Sequence, residues 1–201
     1  CKGRFERLGV PFTEEKRREY REVLVTAPDM EKYISGYILV DETFFHKTKN
    51  NILFTEVLKN KGIDFGVTAY TSSAVHLPLH PGEKITEGLD GLSARLKQYK
   101  EGGASFSKWR AQITIGDGIP SEACLKTNAA SLARYAIACQ ELDIVPIVEP
   151  EVLIDGSHSI EKCYEVTAHN LDLLFAELKI MGVFIPGIIL KTSMVISGKD
   201  A

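Results

Sequence analysis

The sequence predicts an α/β fold of the (β/α)8 TIM-barrel type, and three observations carry that expectation. Short apolar runs alternate with charged amphipathic stretches, which is the pattern of parallel βαβ units. No GxGxxG follows a strand and no GxxxxGK(S/T) occurs, so a doubly wound nucleotide-binding sheet loses its usual support. The expected strands also end in ionisable residues, where a barrel places its chemistry.

The elements follow in order. Thr13 begins Thr-Glu-Glu-Lys, an N-cap followed by acidic residues, and predicts a helix to about Ala27, before Pro28. Gly36 to Val40 reads as a first strand leading into Asp41-Glu-Thr43. Asn51 to Lys61 reads as a helix stopped by Gly62, and Ile63 to Val67 as a second strand. Thr86 to Lys100 is expected to be helical, with Leu89, Leu92 and Leu96 on one face and Gly102-Gly103 at its end. Ser105 to Ile115 is a third strand. Pro120 opens a long helix through Ala133, Ile137 and Leu142. Ile144 to Val148 forms a fourth strand ending at Glu149-Pro-Glu151, Ser159 to Met181 a helix, and Gly187 to Leu190 a fifth strand running into Lys191. A complete barrel takes about 250 residues. Residues 1–201 are therefore expected to be part of one barrel domain that lacks some of its strands.

Bulk properties narrow the function. The chain is 44% hydrophobic and 25% charged with a net charge of -3, which gives no electrostatic pull toward nucleic acid or an anionic membrane. The apolar run Val183 to Leu190 is broken by Pro186 and Gly187 and falls well short of the roughly 20 residues of a spanning helix. Cys1, Cys124, Cys139 and Cys163 form no CxxC pair and read as reduced cysteines of a cytosolic protein. His46, His76, His80, His158 and His169 are scattered without HxxxH or HExxH spacing, so no metal site is expected.

The chemistry concentrates at strand ends. Lys191 follows Gly-Ile-Ile-Leu, Glu149 and Glu151 share one side of an extended chain, and Lys108 and Arg110 share one face of the third strand. A lysine in an apolar surround loses the solvation that favours its ammonium form, and a second lysine nearby adds like-charge repulsion. Both effects favour the neutral amine that attacks a ketone. Glu149 is placed to shuttle protons as the adduct loses water. The plainer reading has Lys191 reaching from a strand end to water, paired with a glutamate of the neighbouring strand.

Several stretches resemble one family: Asp41-Glu-Thr43, Glu87-Gly-Leu-Asp-Gly-Leu92, Lys108-Trp-Arg110, Leu132-Ala-Arg-Tyr-Ala136, Ile144-Val-Pro-Ile-Val-Glu-Pro-Glu151 and Leu190-Lys191. From Arg4 to about Gly198 the chain is similar to the class I fructose-bisphosphate aldolases. The resemblance implies reversible cleavage of fructose 1,6-bisphosphate to dihydroxyacetone phosphate and glyceraldehyde 3-phosphate, a lyase step of glycolysis, with no metal or cofactor. It makes Lys191 the Schiff-base lysine, Glu149 the acid/base, Glu151 its electrostatic support and Lys108 the lysine that assists carbinolamine formation. Arg110 and Arg4 fall to substrate phosphate binding. It also implies a cytoplasmic homotetramer. The first strand with its aspartate, and the last two strands with their phosphate ligands, are expected to lie outside these residues.

The chain departs from the family at several positions. Gly66-Val-Thr-Ala-Tyr70 stands where the family has Gly-Ile-Lys-x-Asp, Gly3 replaces a lysine, and Thr192 and Ser193 follow Lys191 where Pro and Asn are usual. These departures favour the alternative of a diverged, catalytically weak protein kept for binding, since the family also associates with actin filaments and adhesin tails. Five strands without a closed barrel leave two unpaired sheet edges. The isolated 201-residue chain is therefore expected to bind a hydrophobic dye or to associate. A sharp thermal transition from a monodisperse monomer would contradict this.

Overall fold

A computed structural model of the chain describes residues 2–201. Its main sheet has five parallel strands: β1 (Gly36–Leu39), β2 (Asp64–Thr68), β5 (Phe106–Ile113), β6 (Val145–Val152) and β7 (Ile189–Leu190), hydrogen-bonded in that order. A two-stranded antiparallel hairpin, β3 (Ser72–His76) and β4 (Lys84–Glu87), sits between β2 and β5 in the chain. The helices are α1 (Lys2–Arg7), α2 (Glu14–Val25), α3 (Asp41–Phe44), α4 (Phe54–Asn60), α5 (Leu92–Glu101), α6 (Glu122–Gln140) and α7 (Ile160–Ile180).

Strand order follows chain order, and a helix lies between successive strands of the sheet. That is the wall of a (β/α)8 barrel, of which these residues supply five strands. Alternation along β5 and β6 separates the two faces. Trp109, Ala111 and Val148 are buried against α6 and α7 in one core cluster that includes Leu132, Tyr135 and Leu174. The intervening residues Lys108, Arg110, Glu149 and Glu151 therefore project from the other face. A period of two thus turns an apolar strand into a charged inner wall with a packed back.

The caps are local chemistry. Thr13 and Ser121 accept through their side chains from the backbone N–H of Lys16 and Cys124, each at 3.2 Å, and Ser159 does the same for α7. The helix expected over Thr86 to Lys100 is shorter, because Lys84 to Glu87 form β4 and the helix begins at Leu92. The reason is visible in the residues. Ile85 and Thr86 are β-branched, the Thr86 hydroxyl donates to the Arg110 carbonyl at 2.6 Å, and Gly88 and Gly91 both have positive φ. Three more boundaries moved. Leu142 lies beyond α6, β6 runs on through both glutamates to Val152, and β7 is two residues long after a 3-10 turn at Ile185–Gly187. α1 and the β3–β4 hairpin were not anticipated.

Among the described residues no helix is long and apolar enough to cross a membrane. Cys124, Cys139 and Cys163 are buried and unpaired; Cys1 lies outside the described residues.

Gly66 marks the tightest strand contact. A Cβ there would overlap the carbonyl and ring of Phe106 on the paired strand β5, and the carbonyl is fixed by the sheet. Gly66→Ala is expected to destabilise the full-length protein by about 1–3 kcal/mol, read as a lower midpoint of urea denaturation. An unchanged midpoint would mean the two strands can separate freely at this point.

Candidate active site

The inner wall of the sheet carries two diagonal ion pairs. In the β5–β6 register Lys108 lies beside Ile147 and Arg110 beside Glu149. Each cation reaches two residues further along the neighbouring strand, so Lys108 bonds Glu149 and Arg110 bonds Glu151. On the other side of β6, the Lys191 N–H donates to the Val148 carbonyl at 2.9 Å, which continues the β6–β7 pairing and sets Lys191 alongside Glu149. Its ammonium bonds Glu149 Oε1, while Lys108 bonds Oε2. One carboxylate thus holds a lysine on each oxygen.

Burial differs sharply within this trio. The side chains of Glu149 and Lys108 are 5% and 11% exposed, and that of Lys191 is 53% exposed. Burial is the largest single influence on Glu149 and pushes its carboxyl up. The hydrogen bonds and charges of Lys108 and Lys191 together outweigh it and hold the group below the usual glutamate value. The apolar surround expected for Lys191 is not what forms. Its strand is an edge of the sheet, its side chain is half in water, and Glu149 stands between it and the other lysine. Nζ is an ion-pair member, so making the amine requires handing a proton to Glu149.

The other expected residues fall in two places. Glu151 reaches the same wall but pairs with Arg110 rather than with either lysine, and both side chains are about 30% exposed. Arg4 is not brought to the cluster. It sits on α1 and lines an apolar cleft with Phe5, Leu8, Tyr20 and Val23 of α1, α2 and the segment near them.

Sequence reading missed several polar contacts near the ends of β1 and β2. Asp41 accepts the Tyr99 hydroxyl at 2.6 Å. Glu42 accepts from Arg17 at 3.1 Å and from Arg21 at 2.5 Å. The Arg17 hydrogen bond, with Arg21 behind it, brings the Glu42 carboxyl down to about 2 against the opposing effect of burial. Arg95 donates to the carbonyls of Ala69, Gly88 and Asp90, which fixes the segment joining β2 to α5. The partners of Asp41 and Glu42 are 21 to 58 residues away in sequence, so no spacing rule could find them. Glu14 also joins Glu42 and His46, the ligand-type atoms of all three lying within 4.8 Å of one another. Two arginines already neutralise Glu42, which makes this a poor place for a cation.

Glu42 gives a pH signature. Its folded pKa lies below its unfolded one, so its stabilisation is full above the ordinary glutamate value and is lost as pH falls toward about 2. In the full-length protein Glu42→Gln is expected to cost about 1–2 kcal/mol at pH 7, discounted for partial exposure, and the gap to wild type should narrow below about pH 4 and close toward about pH 2. A gap that stays constant with pH would show that the carboxylate charge is not what the arginines stabilise.

Comparison with known proteins identifies relatives of the chain. A family model described as fructose-bisphosphate aldolase class-I matches residues 1–201. A probable fructose-bisphosphate aldolase class 1 of Xanthomonas campestris pv. campestris is 53% identical over 196 residues, covering 98% of this chain and 58% of that protein. The cytosolic fructose-bisphosphate aldolase 4 of Arabidopsis thaliana is 46% identical over 198 residues, 98% of this chain and 50% of its own. Among solved structures, fructose-bisphosphate aldolase from Plasmodium falciparum, in a ternary complex with TRAP and a small-molecule inhibitor, superposes with a TM-score of 0.95 at 40% identity. It covers 100% of this chain, which spans 58% of that one. The chain thus spans between half and three fifths of the length of these relatives.

Proposed function

The chain belongs to the class I fructose-bisphosphate aldolase family, and from that premise we propose that the protein reversibly cleaves fructose 1,6-bisphosphate through a Schiff base on Lys191. The observation that carries the reading is the contact of Lys191 and Lys108 with opposite oxygens of one buried carboxylate, Glu149. The activity is a glycolytic lyase step. The proposal extends to a cytoplasmic homotetramer by kinship with the family.

The steps follow from that contact. The Lys191 ammonium gives its proton to Glu149 Oε1, and the resulting amine attacks the C2 ketone of the open-chain sugar. Protonated Glu149 returns the proton to the carbinolamine hydroxyl, and water leaves to give a cationic imine. The imine draws in the electron pair of the C3–C4 bond as the C4 hydroxyl gives its proton to Glu149, ionised again, and becomes the aldehyde of glyceraldehyde 3-phosphate. An enamine stays on Lys191. Protonation at C3 and hydrolysis release dihydroxyacetone phosphate and restore the lysine. Each step moves a proton or an electron pair among substrate, solvent, Lys191 and Glu149, so the scheme uses no metal or cofactor.

The remaining residues support these transfers. Lys108, on the second oxygen, keeps Glu149 ionised between them and places positive charge beside the carbinolamine oxygen. Glu151 anchors Arg110, which is offered to a substrate phosphate from the same wall. Arg4 is retained as a phosphate ligand only by the family resemblance. The scaffold alternative, including association with actin, draws on Thr68, Tyr70 and Gly3, and none of them interrupts the Lys108–Glu149–Lys191 contact.

Borohydride trapping with dihydroxyacetone phosphate on the full-length protein tests the scheme. The reduced adduct is expected on the peptide containing Lys191 and should vanish in Lys191→Met. Glu149→Gln should lower kcat by about 100-fold or more with KM little changed. An adduct on another lysine, or none at all, would remove Lys191 from the mechanism.

A further inference from the structure

Tyr70 stands at one of the positions where this chain departs from the family, and its surroundings give it a task. Its ring meets Trp109 edge-on, with centroids 6.1 Å apart and planes at 82°. Trp109 is fully buried and packs on Tyr135 at 5.4 Å, so the surface Tyr70 rests against is rigid. The Lys108 ammonium lies over the Tyr70 ring, 5.5 Å from its centroid. A cation at that distance is attracted by the negative face of the ring, and more strongly where water is largely excluded.

The backbone on both sides of Tyr70 is pinned. The Ala69 N–H donates to the Lys108 carbonyl at 3.0 Å, and the Thr71 N–H donates to the Glu87 carbonyl at 2.9 Å. Arg95 donates to the Ala69 carbonyl at 3.1 Å. Gly88, at φ 125°, lets the end of β4 close against this segment. A Cβ at residue 88 would lie 2.6 Å from the Thr71 nitrogen and 3.1 Å from the Tyr70 Cα. The ring is thus aimed by main-chain bonds and a glycine, not left to find its own place.

We propose that Tyr70 is a positioning residue for Lys108: its ring face holds the ammonium on Glu149 Oε2, and so sets the proton affinity of that carboxylate during the reaction. This rests on the aldolase reading for its catalytic consequence, but the contact itself does not. The charged groups around Glu149 are Lys108 and Arg110 from β5, Lys191 beyond β7, and Glu151 on its own strand. Only Lys108 is touched by Tyr70. If Lys108 is loosened, Glu149 loses one of the two cations that hold its carboxyl low, and the acid limb of the kcat profile moves toward neutral pH.

Two variants of the full-length protein decide it. Tyr70→Phe keeps the ring face, and Tyr70→Leu keeps an apolar side chain against Trp109 but removes the π face. Expected for Tyr70→Leu are a kcat lower by about 3- to 30-fold, an acid limb shifted upward, and faster acetylation of Lys108 by acetic anhydride in peptide maps. Tyr70→Phe should restore the wild-type limb and the wild-type Lys108 labelling. If Tyr70→Leu leaves both the limb and the labelling unchanged, Tyr70 is packing only and the proposal fails. If Phe and Leu behave alike in both, the ring face is not the cause and the proposal fails again. Absence of a trapped Lys191 adduct in the wild type overturns the aldolase reading instead, and the Lys108 labelling of the two variants still decides the contact.

Discussion

The site depends on one constraint: a carboxylate that is almost wholly removed from water must have its charge matched where it sits. Glu149 lies deep in the wall, and either oxygen left alone would carry the full cost of a buried, unpartnered acceptor. The lysines of two different neighbouring strands meet that requirement, one on each oxygen. Because each comes from a strand paired directly with β6, the match survives only while the parallel register holds. Fold and chemistry are therefore coupled at a single residue. A slip of β6 by one position would turn Glu149 toward the helices and away from both lysines.

The trio is also unequal in a useful way. Lys108 is locked between Glu149 and an aromatic ring, whereas Lys191 stands half in water at the sheet edge. In the proposed mechanism the first holds a charge in place and the second meets the substrate. Glu149, shared between them, can move a proton to one without releasing the other.

Much of the fold was legible because it rests on short-range rules. Thr13 announces its helix by cap chemistry, and the alternation Lys108–Trp109–Arg110 announces a strand with one charged and one buried face. The β3–β4 hairpin was hidden because its strands are short and lead into a leucine-rich stretch with helical spacing, and pairing with β3 and the contact of Thr86 with β5 reveal the strand. The site divides along the same line. Lys108, Glu149, Glu151 and Lys191 could be read from strand ends. The solvent exposure of Lys191, the partners of Glu42 and the place of Tyr70 depend on segments far apart in the chain, and no periodicity encodes them.

The back of β5 has a practical consequence. The chain has a single tryptophan, and Trp109 lies between Lys108 and Arg110 in sequence with its ring sealed on the helix side. Its emission comes from one dry environment and originates within a residue of the charged wall. Any event that displaces β5, whether a ligand arriving or a covalent bond forming nearby, has an intrinsic fluorophore already in place to report it, without an added label.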